Sequence, residues 1–345
     1  MAGGVCSRAA LMKTAVFRDF DSPLAIEERP QPRPAPDEVV VEVARCGICG
    51  SDLHMTREPA FGIRPGAVLG HEFAGRVIER GNAVQGLKVG DRVAVAPVRG
   101  CGQCPSCLAG EPAWCPHMIL QGGGYAELAL AKERQCLILP DSTPLEDGAL
   151  VEPLAVALHG VALANLSPGS RVMVMGAGPI GLGVAFWARR LGATGVAVTD
   201  LTDLQAERAL GMGATAFVRA DEGAVPAVAS ALGGPPDVIF ECVGRPGILA
   251  RAIEHARPRG LIVMLGLCTS LENFVPFQAV SKEVRILTSA FFTMGEYRAA
   301  LDALDGGRCA ATAMVTATVR LSQVPQAFEA LRQRTGECKV MVRPD

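Results

Sequence analysis

The chain has few aromatic residues, few histidines and no cluster of like charges. Aromatic residues make up 5% of its 345 residues, with two Trp and two Tyr, and there are five His. Lys and Arg total 33 against 35 Asp and Glu, so the net charge is −2. Nucleic-acid and anionic-membrane binding need a concentrated basic patch, and no such run of residues occurs. We therefore expect neither partner.

Signals for a membrane span or a secretory leader are also lacking. The uncharged stretch at 172–188 contains four Gly and one Pro. It is too short to cross a bilayer, which takes about 20 apolar residues. Residues 1–11 have no apolar core of the kind that signal peptides carry. We expect them to be a frayed extension, or to precede an alternative start at Met12. With 49% apolar and 20% charged residues, the composition predicts a globular protein, and we place it in the cytoplasm.

Cysteine, by contrast, is plentiful. There are twelve Cys residues. Disulfide frameworks are typical of secreted chains shorter than about 100 residues. In a chain of this length without a leader, reduced thiols are the better expectation, and some of them are candidate metal ligands.

The pattern of apolar and turn-forming residues changes near residue 150, which predicts two domains. Before it, short β-type runs at 39–44, 75–79 and 91–95 are separated by Pro and Gly. After it, a helix at 154–166 is followed by buried strands that alternate with Ala-rich helices, as in a doubly wound parallel sheet. The predicted strands of that sheet are 172–175, 195–199, 216–218, 238–241, 261–266 and 285–289. Helices at 296–305 and 324–334 break the alternation, so we expect the last fifty residues to return to the first domain.

A glycine-rich loop joins the first strand of the predicted sheet to a helix. Gly176, Gly178 and Gly181 form a G-x-G-x-x-G pattern, in which glycines allow a tight turn and a close approach to a pyrophosphate. The next strand ends at Asp200, where an acid binds the ribose hydroxyls of NAD and repels the 2′-phosphate of NADP. No Arg or Lys occurs at 201–203. The pattern favours NAD, with a turn or helix-cap role as the alternative for Asp200.

Four cysteines are concentrated within fifteen residues. Cys101, Cys104, Cys107 and Cys115 could close a tetrahedral shell around Zn²⁺, and a site with no open position would hold a loop together rather than catalyse. An Fe–S cluster or two disulfides are the alternatives, and the spacing favours zinc.

A second group of potential ligands is spread along the chain. Cys49 and His71 could supply a thiolate and an imidazole, with a carboxylate from Glu72 or Glu152, and leave a position for water or substrate. On spacing alone, a core histidine is the alternative for His71. Cys46 and Cys49 could form a redox pair, although the surrounding sequence lacks the expected βαβ pattern.

These motifs, in this order, resemble the zinc-dependent medium-chain alcohol dehydrogenases. The segments are Cys-Gly-Ile-Cys-Gly-Ser-Asp-Leu-His, Gly-His-Glu, the four-cysteine lobe, Val-Glu-Pro-Leu and Gly-Ala-Gly-Pro-Ile-Gly. The resemblance is closest to the sorbitol (polyol) and threonine dehydrogenase branch. It implies an α/β protein with a GroES-like, mostly-β catalytic domain and a Rossmann nucleotide-binding domain. The implied boundaries are 1–155 and 291–345 for the former, with the lobe at 100–116, and 156–290 for the latter.

The resemblance also implies roles for individual residues. It assigns a catalytic zinc to Cys49 and His71 with Glu72 or Glu152, and a structural zinc to the four cysteines of the lobe. Asp52 would orient His71, and Ser51 and His54 would carry the alcohol proton through the nicotinamide ribose toward solvent. Cys46 would be a bystander. The implied cofactor-binding residues are Gly176, Gly178, Pro179, Ile180, Gly181, Asp200 and Val243.

The substrate is expected to be a small alcohol or ketone. In the polyol branch an Arg-Tyr pair follows the last Rossmann strand, whereas this chain has Phe291 and Phe292 there. Aromatic rings cannot satisfy a sugar hydroxyl, so we expect a hydrophobic secondary alcohol, with a polyol or threonine as the alternative. A zinc-free quinone or enoyl reductase and a non-enzymatic scaffold protein are less compatible with the metal motifs. Relatives of this kind form homodimers or homotetramers, and we expect the same here.

Overall fold

The structure is a computed structural model that describes residues 10–305, 309–333 and 336–345. Residues 1–9, which make up most of the expected N-terminal extension, lie outside the described residues, as does residue 334 at the end of a predicted helix. Leu11 already belongs to the first strand.

The N-terminal part of the chain is mostly β-structure. The strands and helices up to residue 138 are β1 (Leu11–Val16), β2 (Ala25–Pro30), β3 (Glu38–Gly47), α1 (Gly50–Met55), β4 (Glu72–Arg80), β5 (Arg92–Val95), β6 (Val98–Arg99), α2 (Pro105–Leu108), β7 (Ile119–Leu120), β8 (Leu128–Lys132) and β9 (Cys136–Ile138). The runs predicted at 39–44, 75–79 and 91–95 correspond to β3, β4 and β5.

A parallel sheet with helices follows. Its elements are α3 (Val151–Ala164), β10 (Arg171–Met175), α4 (Pro179–Arg190), β11 (Gly195–Asp200), α5 (Ala206–Gly211), β12 (Ala216–Arg219), α6 (Ala224–Leu232), β13 (Val238–Glu241), α7 (Ile248–His255), β14 (Leu261–Met264), α8 (Pro276–Lys282) and β15 (Arg285–Thr288). The strand order is β12-β11-β10-β13-β14-β15, and every pair is parallel. This is the doubly wound order, with its switch point between β10 and β13.

The last part of the chain contributes to the first sheet. Its elements are α9 (Met294–Leu304), β16 (Val315–Arg320), α10 (Val324–Arg332) and β17 (Lys339–Arg343). The β-rich sheet has the order β16-β17-β3-β4-β5-β9, and β8 pairs with β3. We call this part, with the N-terminal elements, the β-rich domain, and the six-stranded unit the parallel-sheet domain.

Burial in the core explains the apolar sequences of the central strands and of α3. Strands β10, β13 and β14 are buried on both faces and read as continuous apolar runs, as a covered parallel sheet requires. Helix α3 packs against α4 and α9 and contributes eleven buried residues to the core. The stretch Leu145–Ala164 is apolar and long enough to cross a membrane, but 78% of its most apolar 18 residues are buried inside the protein, as in a core helix.

Candidate functional site

Three potential metal ligands converge where β3 leads into α1. Cys49 directly precedes α1, while His71 and Glu72 stand at the start of β4. The antiparallel pairing places Gly47 opposite Glu72, so the two segments are adjacent. One ligand atom from each of the three residues lies within 4.8 Å of the others. The chain thus brings together a thiolate, an imidazole and a carboxylate.

A buried network orients His71. Its Nδ1 lies 3.1 Å from Oδ1 of Asp52, and the Tyr125 hydroxyl donates to Oδ2 of Asp52 over 2.5 Å. Asp52 is fully buried, which by itself raises the pKa of its carboxyl, but the charge and hydrogen bonds of His71 and Tyr125 bring that pKa below its usual value. With Nδ1 bonded to Asp52, Nε2 remains as the ligand atom of His71.

The carboxylate of Glu72 is already paired. The Nζ atom of Lys339, on β17, lies 2.7 Å from Oε1 and 2.6 Å from Oε2 of Glu72, and it also donates to the carbonyl of Ile48 over 3.1 Å. Burial disfavours the charged lysine, yet Glu72 keeps the pKa of Lys339 above its ordinary value. A Cβ on Gly47 would come within 2.0 Å of Oε2 of Glu72, so a side chain there would have to displace the carboxylate that Lys339 holds.

Glu152 is the second buried carboxylate near this cluster. It lies in the first turn of α3 and is 7% exposed. Burial raises the pKa of Glu152 to about 7, His71 opposes that rise and Glu72 adds to it. Glu152 lies outside the group of three whose ligand atoms are within 4.8 Å of one another. In this structure Glu72 therefore lies closer to Cys49 and His71 than Glu152 does. The carboxylate of Glu72, however, is hydrogen-bonded to Lys339.

The predicted relay residues lie on α1, next to the same cluster. The Ser51 hydroxyl donates to Sγ of Cys49 over 3.1 Å. His54, in the last turn, lies with Nδ1 2.9 Å from Oε1 of Glu58. Cys46 is fully buried, which raises the pKa of its thiol well above the usual value. An un-ionised, inaccessible thiol fits the bystander role better than a redox role.

The four-cysteine lobe forms a compact second group. The sulfurs of Cys101, Cys104, Cys107 and Cys115 all lie within 4.8 Å of one another. Backbone amides of Gln103 and Cys104 favour the thiolate and lower the pKa of Cys101 to about 6. The four-sulfur set fits a tetrahedral Zn²⁺. The lobe contacts the rest of the protein through the Trp114 ring, 5.4 Å from the His159 ring, and through the Gly110 carbonyl, which accepts from the Met294 amide.

The glycine-rich loop has the geometry that a pyrophosphate needs. Gly176 has φ 96°, and a Cβ on Gly181 would lie 1.9 Å from the Gly176 carbonyl oxygen. A Cβ on Gly178, the residue before α4, would meet nothing within 4 Å, so this position is open. Pro179 and Ile180 then begin α4, whose free amides form an anion site. A dinucleotide therefore fits the loop.

Residues around the loop hold it in place. Asp200 accepts a hydrogen bond from the Ala177 amide over 2.8 Å. Val243 would contact a Cβ on Gly176 at 3.0 Å, which places it beside the loop. The buried carboxylate of Glu241 accepts from the amides of Val243 and Gly244 over 2.6 and 2.8 Å and fixes the turn after β13.

The two phenylalanines predicted for the substrate pocket occupy different environments. Phe291 is half-buried and has φ 58°, an unusual value for a non-glycine residue. Phe292 is fully buried, and its ring stacks on Tyr297 with centroids 5.2 Å apart. Phe292 therefore belongs to the core and offers no surface to a substrate, contrary to our expectation. Phe291 stays a predicted pocket residue.

Sequence reasoning missed four residues that support the site. Two of them act on partners from distant parts of the chain, and the other two act on partners within four residues. They are Glu58, Tyr125, Glu241 and Lys339. The donor set of Cys49, His71 and a carboxylate fits a zinc ion that keeps an open position, which a Lewis-acid site needs.

This combination defines a metal- and nucleotide-dependent oxidoreductase. Sequence models of two families match, one described as "Alcohol dehydrogenase GroES-like domain" over residues 35–141 and one described as "Zinc-binding dehydrogenase" over residues 179–306. The chain belongs to the zinc-dependent medium-chain alcohol dehydrogenase family, in which it lies closest to the polyol branch. It is a dehydrogenase of the alcohol/polyol type with GroES-like and Rossmann domains.

Individual relatives agree with this assignment. The sorbitol dehydrogenase of Bacillus subtilis (strain 168) is 34% identical, over 97% of this chain and 98% of its own length. The structure of 2R,3R-butanediol dehydrogenase from Bacillus subtilis superposes with a TM-score of 0.86 at 31% identity, covering 97% of this chain and all (100%) of that one. A structure described as a zinc-binding dehydrogenase from Sinorhizobium meliloti 1021, bound to NADP, has a TM-score of 0.86 at 32% identity and covers 97% and 100% of the two chains.

Proposed function

We propose that this chain oxidises a secondary alcohol with NAD at a zinc site held by Cys49, His71 and Glu152, and that a second zinc stabilises the lobe. The observation that carries the proposal is the convergence of Cys49 and His71 beside Ser51 on α1, with the buried carboxylate of Glu152 near them. A zinc ion bound there supplies Lewis acidity that polarises the substrate oxygen, and the nicotinamide supplies the hydride chemistry.

The chain's own residues position the reactants and move the proton. Asp52 and Tyr125 hold His71 in one tautomer. With the cofactor bound, Ser51 would take the alcohol proton while it passes its own hydroxyl proton on toward His54, and His54 would release a proton to solvent, since 41% of its side chain is exposed. The open Gly178 position and the amides at the start of α4 bind the pyrophosphate.

Glu152 is the better third ligand. Both oxygens of Glu72 are held by Lys339, whereas Glu152 is buried and has no hydrogen-bond partner among the described residues. An unpaired buried carboxylate is costly, and a bound cation would offset that cost. We expect Glu152→Ala to lose the catalytic zinc and Glu72→Ala to retain it, measured as zinc per chain; the reverse pattern would assign the site to Glu72.

NAD is favoured by Asp200. Its carboxylate is held against the loop at the end of β11, where it would repel a 2′-phosphate. Arg219 lies near Asp200, because the two residues pair in register on neighbouring strands and Arg219 donates to the Leu201 carbonyl. No cation at this position was predicted from the sequence. Because the Sinorhizobium meliloti relative is bound to NADP, activity with NAD and with NADP must be compared directly. We expect kcat/KM to be higher with NAD than with NADP. Asp200→Ala should lower the ratio of the NAD value to the NADP value.

An apolar secondary alcohol is our first candidate substrate. Because Phe292 is buried in the core, support for this substrate now comes from Phe291 alone. A sugar alcohol is the second candidate, favoured by the 34% identical sorbitol dehydrogenase. A substrate panel with sorbitol, 2,3-butanediol and an aryl secondary alcohol, followed by nicotinamide absorbance, separates them. A higher kcat/KM with sorbitol than with the other two would establish the second candidate.

The edge of the parallel sheet supports a homodimer. Strand β15 is exposed along its whole length and pairs only with β14 among the described residues. Apolar side chains surround this edge: Phe277 is 75% and Val280 68% exposed on α8, and Ile286 is 37% exposed on β15. Such an edge invites strand addition by a second copy. We expect Ile286→Lys with Phe277→Glu to halve the mass seen by light scattering, while Ile119→Lys, an exposed residue elsewhere, leaves it unchanged.

A further inference from the structure

The chain after α1 folds back so that a carboxylate meets the relay histidine. The amides of Arg57 and Glu58 both donate to the His54 carbonyl, over 2.9 and 3.0 Å. Oε1 of Glu58 lies 2.9 Å from Nδ1 of His54. Backbone and side chain therefore connect the same two residues, which fixes the carboxylate beside the ring.

The turn that carries Glu58 is itself anchored. The Thr56 hydroxyl donates to the carbonyls of Asp52 and Leu53 over 3.1 Å, and Nη2 of Arg332 donates to that hydroxyl over 2.6 Å. Thr56 is fully buried. The position of Glu58 is thus set by α1 and α10 together rather than by a free surface loop.

The same carboxylate also lies near the other domain. The side chain of Thr269, in the segment between β14 and α8 of the parallel-sheet domain, lies close enough to Glu58 to favour its charged form. The hydrogen bond to His54, and after it the proximity of Thr269, lower the pKa of Glu58, so it is ionised at neutral pH. This charged group therefore lies where the β-rich domain approaches the parallel-sheet domain.

We propose that Glu58 is a positioning residue for the proton relay: it holds His54 with Nδ1 protonated and Nε2 free to accept. The inference rests on the relay role proposed for His54. A neutral imidazole donates from one nitrogen and accepts at the other, and a carboxylate can only accept. Nδ1–H must therefore point at Glu58, which leaves Nε2 as the acceptor.

The consequence for the proton is direct. When Nε2 takes a proton, the imidazolium that forms is hydrogen-bonded to an anion, which stabilises it until the proton passes to water. Without Glu58 the ring would rotate, and the tautomer protonated at Nε2 would be available. That tautomer cannot accept a proton at Nε2, so fewer molecules would be competent for the relay.

The tautomer can be measured without zinc, cofactor or substrate. In protein with ¹⁵N-labelled histidine, the ring nitrogen shifts distinguish Nδ1–H from Nε2–H, and loss of one signal in His54→Gln assigns it among the five His of the chain. We expect Nδ1–H in the wild type and a shift toward Nε2–H in Glu58→Ala. A wild-type His54 that is protonated at Nε2 would overturn the proposal.

A double-mutant cycle tests the effect on the reaction. We expect Glu58→Ala to slow single-turnover hydride transfer about threefold to tenfold, since the bond is charge-assisted but partly exposed, while KM for the alcohol stays unchanged. Glu58→Gln should retain more of the rate, because its amide oxygen can still accept from Nδ1–H. In His54→Gln, adding Glu58→Ala should cost nothing further. Thr269→Val should give a smaller loss than Glu58→Ala, and Glu28→Ala, an exposed glutamate on β2, none.

The outcomes separate the two proposals. If His54→Gln leaves hydride transfer unchanged, the relay itself is wrong and this inference falls with it. If His54→Gln slows the reaction but Glu58→Ala does not, only the role of Glu58 is wrong. Equal losses from Glu58→Ala in the wild-type and His54→Gln backgrounds would show that Glu58 acts on folding or binding, not through His54.

Discussion

The ammonium of Lys339 is bonded to both carboxylate oxygens of Glu72, at 2.7 and 2.6 Å, although 267 residues separate them. Their side chains are 2% and 1% exposed. This pair joins β17, near the end of the chain, to β4 beside the predicted zinc ligands. It explains why the C-terminal segment must return to the β-rich domain for the site to be complete.

Replacing Lys339 should be strongly destabilising. Lys339→Met leaves Glu72 buried without its cation, and removing one partner of a buried pair costs about 3–5 kcal/mol. We expect the free energy of unfolding in urea to fall by that amount. Adding Glu72→Gln should restore more than half of it, because the unpaired charge is then gone. Lys88→Met, at an exposed lysine, should change it by less than about 0.5 kcal/mol; equal losses at both lysines would contradict a special role for the pair.

Tyr125 should control how tightly the catalytic zinc is held. Tyr125→Phe removes only the hydroxyl bonded to Asp52 and keeps the ring, whose centroid lies 6.1 Å from that of Phe328. Loss of a group that orients a metal-bound histidine typically weakens zinc binding about 10–100-fold, and we expect the lower end of that range. Competition with a chelator measures it. Ser281→Ala provides the control, since it removes an exposed hydroxyl on α8 that donates to the Gln278 carbonyl; unchanged affinity in Tyr125→Phe would show that the Tyr125 hydroxyl is dispensable.

The four-cysteine lobe should hold a zinc ion that is structural. We expect Cys104→Ser to remove one zinc per chain and lower the thermal midpoint, since a tetrahedral site contributes directly to folding. Catalysis should persist, because the lobe contacts α3 and α9 rather than the Cys49 cluster. Metal analysis beside a kinetic assay checks both points. Cys268→Ser, at a cysteine outside both clusters, should keep both metals, whereas total loss of zinc in Cys104→Ser would contradict two independent sites.

The sequence was sufficient for the family and the fold because the motifs are local. The glycine loop, the Cys49 segment and the lobe each lie within a few residues, and their chemistry requires those residue types at that spacing. The alternation of buried strands with helices predicted the parallel sheet, with strands within about two residues of those observed.

Contacts between distant segments could not be predicted in the same way. Lys339 reaches the site because β3 pairs with both β4 and β17, and Tyr125 does so because its amide donates to the Leu69 carbonyl; nothing in their neighbouring residues indicates that role. Glu58 is close in sequence to His54, so the i,i+4 spacing was a usable signal that was overlooked. The burial of Phe292 depends on its stacking against Tyr297 on α9, which the sequence of the loop after β15 does not indicate.

Asp237 should make the parallel-sheet domain more stable at neutral than at acid pH. It stands at the junction before β13, where its carboxylate accepts from the backbone amide, Nε and Nη2 of Arg171 and from Nε of Arg257. Burial alone would raise the pKa of Asp237, but the bonds from Arg171 and Arg257 lower it to about 2. The unfolded chain therefore binds a proton more readily than the folded one.

The sign of the pH effect follows. Stability contributed by Asp237 is fully present above the ordinary pKa of 3.8 and is lost as pH falls from there through about 2. We expect Asp237→Asn to lower the free energy of unfolding by about 1–2 kcal/mol at pH 7, because the arginines lose their anionic acceptor. Urea titration at pH 7 and at pH 3 should show the difference shrinking at the lower pH. Asp203→Asn, at an exposed aspartate, should show little difference at either pH, and a deficit in Asp237→Asn that grew on acidification would contradict a depressed pKa.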